Sequence, residues 1–185
     1  MNLPIYYCEI NEYEDGIGCL SLVAHPATDS LFMCFSKQMD FSIDDEEKRI
    51  ISGVIMEPDK PIYRNDNGRE YYVVFTKETI RLMVEKFFID GVNNKVDLEH
   101  NNKPVDGVHL VEMFIKDSER GINPNYVTCA DGSLIGTYKV VDPDLWQEIK
   151  NGTFKGFSLA GAFSLRRKNE YEDILEMLTK LRKVK

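Results

Sequence analysis

Alternating apolar and polar residues, the pattern of half-buried strands, recur through most of this chain. Runs of β-branched and aromatic residues bounded by turn residues predict about eight strands. The segment EYYVVF at 70–75 is the clearest of them. The predicted strands cover residues 3–10, 19–24, 49–56, 70–75, 96–100, 108–115, 134–141 and 154–164.

Apolar residues at helical spacing predict three helices. Thr76 caps the first, which runs to residue 88, and Asp142-Pro143 begins a short one that ends at Asn151-Gly152. The third is an amphipathic helix over 170–184. Because strands and helices do not alternate regularly, a doubly wound parallel sheet is disfavoured. The pattern predicts a mainly β protein of the α+β class, a curled antiparallel barrel with helices packed outside.

The chain has no internal repeat or low-complexity segment, and its length fits one domain over residues 1–185. Within it, residues 1–47 are expected to form N-terminal strands and an acidic connector, with the acidic run 40–47 solvated. Residues 48–168 form the predicted barrel core, and residues 169–185 the C-terminal helix.

Composition narrows the class of protein. Apolar residues make up 43% of 185, enough for a real core. The formal net charge of −8 disfavours a nucleic-acid binder, which usually carries a basic face. The four cysteines have no CxxC spacing and are read as reduced thiols. With no signal peptide and no membrane-spanning stretch in the sequence, a cytoplasmic protein without membrane partners is expected.

The common site motifs are missing: there is no GxGxxG, no phosphate-binding loop, no HExxH and no GxSxG. We therefore predict neither a cofactor nor a metal ion. The chain has three histidines. His100 ends a predicted strand beside a polar loop, where a general base can be both fixed and accessible, although a solvated turn histidine fits as well. His109 is expected to be a partly exposed strand residue, and His25 to be structural.

Ser158 lies in KGFSLAGAFS among glycines and alanines. Small residues around a serine can let a substrate backbone approach and free N–H groups for an oxyanion, or they can simply pack tightly. A serine nucleophile needs a base, and the base needs an orienting group. Glu112 is the most unusual carboxylate, because strand alternation puts it on the apolar face of Val108 and Leu110. The alternatives, expected to be solvated surface charges, are Asp97, Glu99, Glu170, Glu172 and Asp173.

Three ordered segments, VDLEHN, GVHLVEMFIKD and GTYKVVDPDLWQEIKNGTFKGFSLAGAF, resemble the serine proteases encoded beside portal and capsid genes in tailed phages and defective prophages. The resemblance spans roughly residues 96–163, and segments upstream of it also look similar. It implies a fold like the herpesvirus assemblin proteases. It also implies a prohead maturation endopeptidase without a cofactor, with His100 as base and Ser158 as nucleophile.

The resemblance further implies substrates and a location. The expected partners are the phage scaffold and major capsid proteins, whose extensions would be cleaved inside the prohead assembling in the bacterial cytoplasm. Relatives commonly dimerise through helices, so a homodimer or larger assembly through 170–184 is expected. The alternative is that the apolar stripe of this helix packs on its own barrel.

Two features depart from the family pattern. An acidic residue often stands two places after the serine, where this chain has Ala160. The third member of the site is a histidine or an acid in the wider family. No histidine follows Ser158 in this chain, so a second histidine could only be His109 or His25, and an acid, Glu112, is preferred. The Ala160 departure keeps open a catalytically impaired or non-catalytic capsid-assembly protein of the same fold. A metal-dependent hydrolase using Asp97, His100 and His109 is a further alternative without supporting ligand spacing.

Overall fold

The computed structural model describes residues 3–11, 15–23, 33–35, 41–45, 48–93, 95–101 and 103–169, together with residues 171 and 182; for 33–35 and 41–45 only the backbone is described. These residues form twelve strands and two helices. In chain order they are β1 (Ile5–Glu9), β2 (Gly16–Val23), β3 (Met33–Phe35), β4 (Phe41–Asp45), β5 (Ile50–Met56), β6 (Ile62–Asp66), β7 (Arg69–Val74), α1 (Lys77–Ile89), β8 (Val96–Leu98), β9 (Val108–Ile115), β10 (Leu134–Val140), α2 (Pro143–Lys150), β11 (Gly156–Ala162) and β12 (Ser164–Arg167).

The strands pair into three sheets of four. Their orders are β12-β1-β7-β6, β4-β5-β10-β9 and β3-β11-β2-β8. Most pairs are antiparallel, but β1 runs parallel to β7 and β2 parallel to β8. The prediction of a mainly β, α+β protein is confirmed. Each sheet of the described residues ends in edge strands, so the predicted closed barrel is not present among them.

Both described helices begin where the sequence predicts. The Thr76 hydroxyl accepts a hydrogen bond from Thr79 N–H at 3.1 Å, and α1 buries Ile80, Met83 and Phe87. The Asp142 carboxylate accepts from the first free N–H groups of α2. These helix faces join the strands' apolar residues in one core, to which α2 contributes Leu145, Trp146 and Ile149.

All eight predicted strands are present with boundaries shifted by a few residues, and the structure adds β3, β4, β6 and β12. The expectation that 40–47 forms a solvated connector is wrong, because residues 41–45 are β4 and pair with β5. Phe41 and Ile43 alternate there with Ser42 and Asp44. This alternation of apolar and polar residues is typical of a strand, whereas the acidic charge of the segment suggests a connector. His25 and all but two residues of the predicted helix 170–184 lie outside the described residues. Within the described part of the chain, neither helix has the length and hydrophobicity to span a membrane.

Candidate active site

A row of three polar residues crosses the sheet β3-β11-β2-β8. Strand β2 lies between β11 and β8, and the registers place Ser158 opposite Ser21 and Ser21 beside Asp97. Register partners project to the same face of a sheet, so the three side chains are neighbours. We call them the serine row. All three are buried, with at most 1% of each residue exposed.

A strained turn brings His100 onto this row. Strand β8 ends at Leu98, and Glu99 and His100 both adopt a left-handed backbone with φ of 54°. Such a conformation costs a non-glycine residue on the order of 1 kcal/mol or more and persists only where its surroundings impose it. Two backbone bonds hold the turn: Glu99 N–H donates to Leu22 C=O at 3.0 Å and Asn101 N–H to Leu98 C=O at 3.2 Å. The chain thereby turns back immediately after β8.

The imidazole of His100 bridges two serines. Its Nε2 lies 2.8 Å from Ser158 Oγ, and its Nδ1 lies 2.9 Å from Ser21 Oγ. His100 is 9% exposed. In the tautomer with a proton on Nδ1, the ring donates to Ser21 and accepts the Ser158 hydroxyl proton at Nε2. This is the arrangement of a nucleophile, its general base and a group that orients the base.

Cys19 and Ala160 continue the face of the serine row, and they are themselves register partners. Burial, followed by the negative charge of Asp97, raises the pKa of the Cys19 thiol to about 12. The thiol is therefore neutral at physiological pH and is a poor nucleophile. The groups on this face that bond to His100 are the hydroxyls of Ser158 and Ser21.

The glycine-rich surroundings of Ser158 have a packing role in at least one place. A Cβ added to Gly161 would lie 2.3 Å from the backbone oxygen of Gly16. Only glycine fits such an approach of two backbones. For Gly161, tight packing is therefore the reading that the structure supports.

The reason for selecting Glu112 is wrong. A bulge interrupts the pairing of β9 with β10, so that Tyr138 pairs with Leu110 but the preceding Thr137 pairs with Glu112. Val111 is the extra residue, and it moves Glu112 off the apolar face of Val108 and Leu110. Glu112 is exposed, and its strand belongs to a different sheet from the serine row. The structure does not bring it to His100 and Ser158.

The other candidates are also placed. Asp97 was expected to be solvated and is 1% exposed, so that expectation is wrong. Glu99 is exposed, as expected; Glu170, Glu172 and Asp173 lie outside the described residues. His109 is an exposed strand residue on β9, as predicted. Strand β9 is not part of the sheet that carries the serine row. Among the residues described, no three His, Cys, Asp or Glu side chains are grouped closely enough to hold a metal ion.

Sequence reasoning missed Ser21. Its only signal is a hydroxyl between two core leucines in GCLSLV, at the same strand parity as Cys19. Nothing local in the sequence says that β2 lies between the strand before His100 and the strand of Ser158. That information is in the sheet order alone.

Comparison with known proteins points to one group. Residues 39–166 match the family model described as "Putative phage serine protease XkdF". The phage-like element PBSX protein XkdF of Bacillus subtilis (strain 168) is 25% identical over 118 residues, covering 64% of this chain and 38% of that protein. No solved structure matches the chain. The matched range contains His100 and Ser158, whereas Ser21 precedes it.

Proposed function

The chain belongs to the phage serine protease family whose model it matches, and from this premise we propose that it is a serine endopeptidase with Ser158 as nucleophile and His100 as general base. The observation that carries the proposal is the 2.8 Å distance between His100 Nε2 and Ser158 Oγ. A serine hydroxyl is a weak nucleophile until a positioned base removes its proton, and this distance suits that transfer.

The proposed reaction follows from these positions. Ser158 Oγ attacks the scissile carbonyl carbon while its proton passes to His100 Nε2. The imidazolium then gives this proton to the leaving amine as the C–N bond breaks, leaving an acyl-enzyme. Water, deprotonated by the same nitrogen, attacks the acyl carbon; its proton returns through His100 to Ser158 Oγ, which leaves as the hydroxyl.

The proposed substrates are the phage scaffold and major capsid proteins, cleaved inside the prohead in the host cytoplasm. The resemblance of the segments around His100 and Ser158 to phage maturation proteases supports this part of the proposal. Self-association through 170–184 is proposed on the same resemblance. The net charge of −8 fits a protein that acts on other proteins rather than on nucleic acid.

Ser158 is fully buried, which restricts how a substrate reaches it. A polypeptide substrate can contact Oγ only after the residues that cover it have moved, as happens in enzymes whose sites close or open by loop motion. The burial and the small Ala160 beside it favour one alternative, a non-catalytic capsid-assembly protein that keeps the fold. The two functions differ in whether Ser158 reacts.

Diisopropyl fluorophosphate tests the proposal, because it bonds to an activated serine oxygen with loss of fluoride. We expect intact-mass analysis of the folded full chain to show one adduct, peptide mapping to place it on Ser158, and Ser158→Ala to abolish it. Co-expression with the capsid and scaffold genes of the same phage should yield shortened products that are missing with Ser158→Ala. No adduct and no cleavage, with the chain folded, would favour the non-catalytic alternative.

A further inference from the structure

We infer that Ser21 and Asp97 are positioning residues that set the tautomer and orientation of His100, in the order Asp97–Ser21–His100–Ser158. This inference rests on the proposed function and deepens it. It assigns the third member of the site to residues that the family resemblance did not indicate, in place of Glu112. The family match begins at residue 39 and so does not include Ser21.

The hydrogen-bonding capacity of His100 gives the first step. A general base must present a lone pair at Nε2, so the ring proton must be on Nδ1. Ser21 Oγ lies 2.9 Å from Nδ1 and can accept that proton's hydrogen bond. Any rotation of the ring away from Ser158 would break this bond at a site where water is excluded, since Ser21 is 1% exposed. Ser21 therefore holds the ring in its productive orientation.

The hydroxyl of Ser21 then requires an acceptor of its own. It has one proton to donate once its oxygen has accepted from His100, and leaving that proton unpaired in a buried site costs about 1–3 kcal/mol. Asp97 is the register partner of Ser21 on the parallel strand β8, so both side chains project to the same face. The thiol of Cys19 is a hydrogen-bond partner of Ser21 as well, but a carboxylate is the stronger acceptor of the two.

The neighbouring thiol indicates where the carboxylate lies. Cys19 precedes Ser21 by two residues and shares its face of β2, and the carboxylate of Asp97 is close enough to raise the pKa of this thiol. The register of β2 with β8 and this effect of charge together place Asp97 on the face of the sheet that carries Cys19 and Ser21. It is buried, with 1% of the residue exposed.

The chemical consequence concerns charge. When His100 takes the proton of Ser158, a positive imidazolium forms in a buried site. A serine dipole alone stabilises such a charge weakly, whereas a carboxylate one hydroxyl away in a low-dielectric environment stabilises it strongly. Ser21 transmits orientation, and Asp97 supplies the negative charge.

The experiment measures second-order labelling rates of the full chain with diisopropyl fluorophosphate. A rate proportional to probe concentration shows that opening of the site does not limit the labelling. We expect Ser21→Ala to lower the rate about 100-fold, less than the roughly 10⁴-fold loss for an orienting aspartate in contact with its histidine. Ser21→Thr, which keeps the hydroxyl, should recover most of the rate. Asp97→Asn should lower it about tenfold, and its effect should be smaller in the Ser21→Ala background, where no hydroxyl links the carboxylate to the ring.

A second readout separates positioning from general structural damage. Long-range ¹H–¹⁵N spectra report which nitrogen of each histidine carries the proton, with exposed His109 as a reference ring. We expect His100 to be protonated on Nδ1 in the wild type and in Ser21→Thr, and to lose this preference in Ser21→Ala. The control is Ser52→Ala, a buried strand serine whose hydroxyl bonds to Thr137 in another sheet; it should leave both the labelling rate and the tautomer unchanged.

The outcomes are distinct. A wild-type chain that the probe labels, with Ser21→Ala labelled at the same rate, would overturn this inference and leave the proposed function standing. A folded wild type that is not labelled at all would contradict the proposed function; the tautomer spectra would then still decide whether Ser21 fixes the ring. Loss of labelling in both Ser21→Ala and Ser21→Thr, with both folded, would also contradict the inference.

Discussion

Two rows of polar side chains cross two different sheets of this molecule in the same manner. The serine row runs from Ser158 through Ser21 to Asp97. The second, which we call the threonine row, runs from Ser52 through Thr137 to Glu112 across β5, β10 and β9. Each consists of two hydroxyls and a carboxylate on adjacent strands. On composition and register alone, neither row is better suited to catalysis.

The difference is the placement of a histidine. In the threonine row the hydroxyls bond to each other, Ser52 Oγ donating to Thr137 Oγ1 at 2.9 Å, and the carboxylate is exposed. In the serine row an imidazole lies between the two hydroxyls and bonds to both. That placement requires the left-handed turn at Glu99 and His100, whereas His109 stays in the regular strand beside the threonine row. A hydroxyl row therefore becomes a candidate site only where the backbone brings a base onto it.

Removing His100, the proposed base of the serine row, should have the largest effect on activity. We expect His100→Ala to lower fluorophosphate labelling and capsid-protein cleavage by about 10⁴-fold or more, because the serine then keeps its proton. The double variant with Ser158→Ala should be no worse in cleavage than either single variant, since the two residues act as a unit. His109→Ala is the matched control and should retain full activity. Equal losses from both histidine variants would remove the distinction between the rows.

Placing an acid at position 160, where relatives often carry one, tests the electrostatics of the serine row. Ala160 is 8% exposed, and its register partner Cys19 lies close to Asp97. We expect Ala160→Glu to lower the free energy of unfolding by about 3 kcal/mol at pH 7, because it buries a second carboxylate near the first. Ala160→Gln, which introduces no charge, should lower the free energy of unfolding by less.

The sign of the pH dependence follows from burial. The introduced carboxyl is more easily charged in the unfolded chain, so its pKa is raised in the folded state. The penalty is therefore small below the unfolded pKa of about 4.3 and grows as the pH rises above it. Chemical denaturation at pH 4 and at pH 7 measures the destabilisation that Ala160→Glu causes at each pH. A gain in labelling rate in Ala160→Glu would instead make the family acid part of the site.

Strand alternation and helix caps allowed much of the fold to be predicted, because each depends on residues close together in the chain. The His100–Ser158 pair came from the resemblance of short segments, and the structure places its two atoms within hydrogen-bond distance. The third member could not be predicted in this way. Ser21 acquires its position from the order β11-β2-β8, which involves strands far apart in sequence.

Glu112 and Asp97 show two ways in which local patterns mislead. A one-residue bulge at Val111 places Glu112 on the opposite face of its strand, and no feature of GVHLVEMF predicts that bulge. Asp97 resembles a surface charge in KVDLEH, yet its strand pairs with β2 and the residue is buried. In both cases the deciding interaction lies on another strand.

The threonine row should affect stability and not chemistry. Ser52→Ala removes the donor to Thr137 Oγ1 in a buried environment, and we expect it to lower the free energy of unfolding by about 1–2 kcal/mol. Urea denaturation measures this loss. Glu112→Gln, which is exposed, should change stability by less than about 0.5 kcal/mol. Neither variant should alter the labelling rate of Ser158, and a large drop with Glu112→Gln would return that residue to the site.

The smallest effect concerns the thiol beside the serine row. Burial is the main reason that the pKa of Cys19 is raised to about 12, and the charge of Asp97 is the next. Asp97→Asn removes the charge but not the burial, so the pKa of Cys19 should fall modestly and more of it should be thiolate at pH 8. We expect its alkylation by iodoacetamide to become about threefold to tenfold faster, since the thiolate is the reactive form.

Two other cysteines make this measurement internally controlled. Burial is also the main cause that raises the pKa of Cys8 to about 12, and Cys8 should react faster only if the variant unfolds. Cys129 is partly exposed and should react at the same rate in both proteins. Mass spectrometry of the alkylated peptides gives all three rates from one sample. An unchanged rate at Cys19 would mean that the Asp97 carboxylate is directed away from β2, and the order Asp97–Ser21–His100 would then lose its first member.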